Sequence, residues 1–241
     1  MREIASPDKR THRIIRSADQ PVDAGCDRGE QAGTYEGARL SSYYEPTKRA
    51  FDVLLALVAL ILLLPLLIAI AVAVRLNSRG PILLRQVRLG RGGRPFPLYK
   101  FRTMRVGSEE LSPELVARNE SNGPLFKMRH DPRVTGVGRL LRRFSMDELP
   151  QLLNILLGQM SFVGPRPPLL RELAGYSREQ RLRLRVVPGL TGLWQISGRS
   201  HLPFEEMVRL DLMYIERRSL TFDLWILWKT IPVVLRGHGA Y

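Results

Sequence analysis

The sequence predicts an α+β chain, mostly helical, with a membrane segment ahead of a small cytosolic domain that carries a β-hairpin and amphipathic surface helices. Three observations predict it. Residues 53–74 form an uninterrupted apolar run. Residues 81–104 alternate short apolar runs with Gly and Pro, the pattern of paired strands. Residues 105–137 read as mostly loop, and from Gly138 on the chain reads as mostly helical.

From Val53 to Val74 there are 22 residues without one charged or polar side chain. As a helix that is roughly 33 Å, about the thickness of a bilayer's hydrocarbon core. Pro65 falls inside it and removes the N–H that would bond the carbonyl of Ile61. Lys48 and Arg49 stand at one end, and Arg75, Arg79, Arg85 and Arg88 at the other. Positive residues mark the cytoplasmic side, and here both ends carry them. The flanks leave two topologies open: a kinked spanning helix, or a re-entrant one that turns at Leu64–Pro65. The heavier flank comes after the segment, so the rest of the chain is expected in the cytoplasm.

The predicted organisation is a disordered polar tail over residues 1–45, the membrane anchor over 46–78 and the cytosolic domain over 79–241. Net charge is +14 over 241 residues; residues 1–47 contribute −1 and residues 48–241 contribute +15. The basic part suits anionic lipid, phosphorylated substrates or nucleic acid. The single cysteine, Cys26, forbids an internal disulfide and offers no metal cluster, as expected of a reducing compartment. The first apolar run begins near residue 51, too late for a cleavable signal peptide.

Along the domain, ILLRQVR and PFPLYKFRT predict two strands joined at Gly90–Gly93. Lys100 and Arg102, two apart, fall on one face of the second strand. A short helix is predicted at Pro113–Arg118 and a basic one from Gly138 to Phe144. Leu149, Leu152, Leu153 and Leu156 give the stripe of an amphipathic helix. SFVGPRPP, residues 161–168, reads as irregular. Arg171–Val187 reads as one amphipathic helix with Arg178, Arg181 and Arg185 on one face, suited to a membrane surface. PGLTGLWQISGR is a loop, and two helices close the chain at about Phe204–Arg217 and Phe222–Leu235. The last carries Trp225, Trp228 and Lys229, residue types favoured at headgroup depth.

The chemistry concentrates at Arg142-Arg143-Phe144-Ser145-Met146-Asp147-Glu148. Ser145-x-x-Glu148 has the spacing of a capping box, which would make both residues structural. Pro150 disfavours helical geometry at Leu149 and would push the helix start later. The same spacing also suits catalysis. An Asp kept ionised at a helix N-terminus is a nucleophile toward phosphorus. The helix N–H groups, Arg142 and Arg143 would balance phosphate oxygens, and a divalent ion would offset a diphosphate. Glu148 would ligate that ion or handle a proton.

Six motifs in order resemble the bacterial sugar transferase family, monotopic phosphoglycosyl transferases acting on polyprenyl phosphate. They are KRAFD (48–52), GPILLRQVRLGRGG (80–93), LYKFRTM (98–104), SMDELPQL (145–152), FVGPRPP (162–168) and PGLTGLWQISGR (188–199). The closing VVLRGHGAY resembles members that begin exopolysaccharide or O-antigen assembly. The likeness covers some 195 residues, from about residue 46 onward.

The resemblance implies transfer of a sugar 1-phosphate from a UDP-sugar to undecaprenyl phosphate, with release of UMP and a requirement for Mg²⁺. It implies Asp147 as the nucleophile of a covalent phosphosugar intermediate, and Glu148 beside it as metal ligand or proton acceptor, with Asp147 a candidate ligand too. Arg142, Arg166, Lys100 and Arg102 match positions near the phosphates. The family's membrane segment is re-entrant and broken at a proline, matched here by Pro65, which places Lys48 and Arg49 where the lipid phosphate arrives. The expected location is the bacterial inner membrane, with the catalytic domain on its cytoplasmic face. Membrane lipid is an expected partner and nucleic acid is not; homodimer formation stays open. Larger members carry four preceding transmembrane helices that this sequence does not match. Two other readings are separable by assay: a basic membrane-anchored binding protein, which needs no acidic pair, and a polyprenyl-phosphate phosphatase using the pair with water as acceptor. The sugar is not legible, because specificity would come from the shape of the loop at residues 188–201.

Overall fold

The computed structural model describes residues 43–108 and 130–237, with Leu115, Glu120 and Met128 between them. The helix expected at Pro113–Arg118 and nearly all of the polar tail lie outside the described residues. Helix α1 runs from Tyr44 to Asn77 and contains Pro65. It is long and apolar enough to cross a membrane. The helix continues through the proline, so the loss of one backbone hydrogen bond does not end it.

One face of α1 lies on the rest of the chain along its length. Leu55, Ala59, Leu60 and Leu63 pack on a core that includes Leu152, Ile155 and Phe162. Farther on, Ile70 and Val74 join Phe101 and Leu141 in a second cluster. Spacings of three and four put these residues on one stripe. The opposite face, including Leu54, Ile61, Leu62, Ile68 and Val72, is exposed.

Strands β1 (Leu83–Leu89) and β2 (Pro95–Phe101) form the expected antiparallel hairpin. Gly92 and Gly93 turn the chain with φ of 69° and 74°, values glycine adopts without the Cβ penalty. The register opposes Leu84 to Lys100, Gln86 to Leu98 and Arg88 to Phe96. One face of the hairpin therefore carries Gln86, Arg88 and Lys100 together with the buried Phe96 and Leu98.

Helix α2 (Gly136–Arg143) is capped by Thr135, whose Oγ1 accepts from the Gly138 N–H at 3.0 Å. A Cβ on Gly138 would collide with the Thr103 carbonyl oxygen. Only glycine lets α2 approach the end of β2 this closely. A 3₁₀ turn, Met146–Glu148, comes next, and α3 (Gln151–Leu156) starts after Pro150, as that proline predicts.

SFVGPRPP is less irregular than its sequence reads. Its first residues form β3 (Ser161–Val163), which pairs in parallel with β4 (Gly189–Thr191). The expected loop at 188–199 also contains α6, Leu193–Ser197. Three-residue strands carry too little alternation to be seen in sequence. A Cβ on Gly189 would overlap the Gly164 nitrogen, so the two segments touch backbone to backbone.

The single helix expected over Arg171–Val187 is not there. Short helices α4 (Leu170–Leu173) and α5 (Arg178–Arg181) are followed by a 3₁₀ turn at Leu182–Arg185. Ser177 and Gln180 form a capping box that restarts the helix and breaks the continuous basic face. Helices α7 (Phe204–Arg217) and α8 (Leu220–Arg236) close the fold as expected.

Candidate active site

Asp147 and Glu148 sit half-buried in the 3₁₀ turn between α2 and α3. The capping box proposed for Ser145 does not form. Ser145 takes up a left-handed conformation, φ 53° and ψ 23°, and its side chain caps nothing. Its hydroxyl instead accepts from Arg199 Nη2 at 2.8 Å. Arg199 also has positive φ, 50°. Among the described residues these two are the non-glycine residues in that region, and each costs roughly 1–2 kcal/mol there. They are bonded to each other across the site.

Cations converge on the acidic pair from four directions. Arg142 comes from the last turn of α2, with its Nε donating to Thr103 Oγ1 at 3.0 Å. Lys100 comes from the inner face of β2, Arg166 from the segment after β3, and Arg199 from the turn after α6. Burial pushes the Asp147 carboxyl up, against the pull of Arg142, Lys100 and Arg199. Glu148 is pushed up to about 7 by burial and by the neighbouring Asp147 charge, against Arg166, Lys100 and Arg199. Burial and Arg88 lower Lys100 to about 8, although Asp147 and Glu148 favour its charge. Both carboxyls are thus held up by burial, and Glu148 is poised to carry a proton near neutral pH.

The segment that carries Arg166 is held on both sides. Gly164 N–H donates to the Thr191 carbonyl at 3.0 Å, and Gly189 N–H to the Pro165 carbonyl at 2.9 Å. On the hairpin side, Arg88 Nη1 donates to Pro167 O at 3.0 Å, and Leu89 N–H to Pro168 O at 3.0 Å. Tyr214 and the buried Arg183–Asp211 ion pair, 2.6 Å, support it from α7 and the 182–185 turn. Arg183 is one of the most enclosed charges among the described residues.

Of the sequence-predicted residues, Asp147, Glu148, Arg142, Arg166 and Lys100 come together. Arg102 does not join them. Its Nη2 donates to the carbonyl of Ser78 at 2.6 Å and to its hydroxyl at 3.0 Å, closing off the end of α1. The expected shared strand face does not extend to Arg102, because β2 ends at Phe101. Lys48 and Arg49 are engaged elsewhere too. Lys48 pairs with the buried Asp223 at 2.8 Å, and Arg49 donates to the carbonyls of Ile155 and Leu156 at the end of α3. Arg199 and Arg88 were missed as site residues. Both lie inside motifs quoted for the resemblance, which was the signal that could have found them. Among the described residues no group of three or more His, Cys, Asp or Glu side chains could hold a metal; the adjacent carboxylates of Asp147 and Glu148 are of the oxygen type that Mg²⁺ takes together with substrate phosphates.

The family model described as bacterial sugar transferase matches residues 43–237, which takes in every element of the fold. The chain belongs to the bacterial sugar transferase family. Among curated members of this family, an exopolysaccharide production protein ExoY of Rhizobium meliloti is 45% identical over 198 residues, covering 80% of this chain and 88% of that one. A galactosyl transferase CpsE of Streptococcus agalactiae is 43% identical over 194 residues, 80% of this chain and 43% of its own. The UDP-glucose:undecaprenyl-phosphate glucose-1-phosphate transferase of Escherichia coli is 41% identical over 210 residues, 84% of this chain and 43% of the relative. The chain thus spans less than half the length of those two sugar transferases and most of ExoY.

Proposed function

We propose that this sugar transferase moves a sugar 1-phosphate from a UDP-sugar to undecaprenyl phosphate, releasing UMP, as an early membrane step of polysaccharide assembly. The observation that carries this reading is the acidic pair on a strained turn, ringed by Lys100, Arg142, Arg166 and Arg199. Names of relatives at this level of identity point to the same reaction.

In the first half-reaction a carboxylate oxygen of Asp147 attacks the phosphorus that bears the sugar. An Asp–phosphorus bond forms, the bridging P–O bond breaks, and UMP leaves with the electron pair. In the second, an oxygen of undecaprenyl phosphate attacks the same phosphorus and the Asp147 carboxylate leaves. Glu148, near neutrality in its titration, takes up the proton of a singly protonated lipid phosphate. Arg142, Arg166 and Arg199 hold the non-reacting oxygens, where positioning and charge balance supply most of phosphoryl-transfer catalysis. Glu148 and Asp147 would hold Mg²⁺, which when bound offsets diphosphate charge. Beside Arg166 lies a narrow cleft with Tyr176, Trp194 and Phe204 in its walls. The buried indole N–H of Trp194 has no hydrogen-bond partner. The free volume of the cleft, about 10 Å³, is no more than water-sized.

We also infer a re-entrant anchor on the cytoplasmic face. What supports it is that both ends of α1 are tied to the same domain. Lys48 and Arg49 bind Asp223 and the end of α3 at one end; Arg102 binds Ser78 at the other. A spanning helix would separate its ends by the full bilayer. The exposed apolar face of α1 would then meet lipid, which puts the nucleophile near the plane of the lipid phosphate.

The test is magnesium-dependent UMP release by purified protein across a panel of UDP-sugars, with radiolabelled sugar followed into the lipid extract. Label in undecaprenyl lipid supports transfer. Free sugar phosphate without lipid product would replace transfer by hydrolysis.

A further inference from the structure

The inner face of the hairpin holds an arrangement that the two half-reactions leave unused. Arg88 Nε and Nη2 both donate to Gln86 Oε1, at 3.2 and 2.9 Å, and Lys100 Nζ points at the same oxygen at 3.3 Å. A carbonyl oxygen has two lone pairs, so three donors are one more than it serves well. Two cations thus converge on a single neutral acceptor. The hairpin register produces this: Gln86 is two residues from Arg88 on β1 and lies diagonally from Lys100 on β2, all on one face. Arg88 is itself 8% exposed, with Nη1 held by Pro167 O.

We propose that Gln86 is a positioning residue for the donor's diphosphate: its amide oxygen holds Lys100 and Arg88 converged beside the acidic pair until phosphate oxygens take over their surplus N–H donors. A neutral amide suits this role better than a carboxylate. It orients the two charges without cancelling them, so their mutual repulsion remains to be relieved by an arriving anion. Lys100 shows that repulsion, and Arg88 is crowded by a further cation. Arg88 is lowered to about 9, by burial and then by Arg166. Lys100 faces Arg88 from β1, Asp147 and Glu148 from the 3₁₀ turn and Arg142 from α2, and stands lowered to about 8. The proposal rests on the reading of a diphosphate donor, and its class of ligand is a nucleoside diphosphate bound through its phosphates.

Two variants of the full chain in detergent or nanodiscs test it, with inorganic pyrophosphate as a binding probe independent of turnover. Gln86→Glu offsets one of the two positive charges. It should melt no lower than wild type, bind pyrophosphate at least tenfold more weakly and raise the donor KM by a similar factor, with a smaller change in kcat. The alkaline limb of kcat/KM should move up in pH, because the new carboxylate favours the charge on Lys100. Gln86→Leu removes the acceptor and should move that limb down while also lowering kcat/KM. A merely structural glutamine would give parallel losses in both variants with an unmoved pH limb, which overturns the proposal. So would wild-type protein that does not bind pyrophosphate at millimolar concentration. Pyrophosphate binding that depends on Gln86 without UMP release from any UDP-sugar would support the anion site and defeat the proposed reaction instead.

Discussion

Replacing Glu148 by Gln should make the protein more stable and less active, and the gain should depend on pH. Glu148 is pushed up to about 7 by burial and by Asp147, against an ordinary glutamate value of about 4.3. Its folded state therefore binds the proton more tightly than the unfolded chain. Below about pH 4 both states are protonated and the group costs nothing. Between about pH 4 and 7 the unfolded chain ionises first, so stability falls as pH rises; above 7 the cost is complete. Each unit corresponds to about 1.4 kcal/mol. Because the charge is shared with Asp147, a realistic figure is about 1–3 kcal/mol. For a domain of this size that is a rise in Tm of roughly 2–10 °C. The measurement is thermal unfolding of wild type and Glu148→Gln in the same detergent at pH 4.5 and pH 8. The account predicts nearly equal Tm values at the lower pH and a more stable variant at the higher. A variant less stable at pH 8, or a difference independent of pH, would refute the view that Glu148 is held against its ionisation.

Three further outcomes come from the same geometry. Arg166→Lys keeps the charge but loses the planar fork, so UMP release should fall at least tenfold with little change in Tm; near-normal turnover would leave Arg166 a structural residue. Gly138→Ala puts a methyl group against the Thr103 carbonyl and should cost about 2–4 kcal/mol, read as a lower denaturation midpoint, with activity lost as Arg142 shifts. In a Cys26→Ser background, cysteines placed at the exposed Glu45 and Arg79 should both be shielded from an impermeant thiol reagent in intact cells. Labelling at Glu45 alone would establish a spanning helix.

What was legible in the sequence is what a single local period encodes. The apolar run predicted α1, short apolar runs punctuated by Gly and Pro predicted the hairpin, and Pro150 predicted the late start of α3. Local spacing failed wherever a distant partner decided the outcome. Ser145-x-x-Glu148 has capping-box spacing, but Arg199, 54 residues on, takes the Ser145 hydroxyl. Arg183 sits in a run of basic residues that reads as a membrane-surface helix, yet Asp211, 28 residues away, pairs with it in the interior. Arg102, two residues on from Lys100, was expected on the same strand face, but β2 ends before it and Ser78 captures it. The β3–β4 pairing depends on a backbone contact between Gly164 and Gly189 that no periodicity announces. The resemblance named Asp147, Glu148, Lys100, Arg142 and Arg166, which the fold brings together; Arg199 emerged only from the fold.

The most direct test of the central claim is the mass of the protein itself. Wild type incubated with a UDP-sugar and Mg²⁺, without lipid acceptor, should release no more than about one equivalent of UMP. Intact-protein mass spectrometry should then show the added sugar phosphate, and peptide mapping should locate it on Asp147. Asp147→Asn should carry no adduct and lose activity by several orders of magnitude, while folding and membrane association persist, since the amide keeps the shape but cannot attack phosphorus. An adduct on another residue, or an active Asp147→Asn variant, would contradict the assignment of the nucleophile.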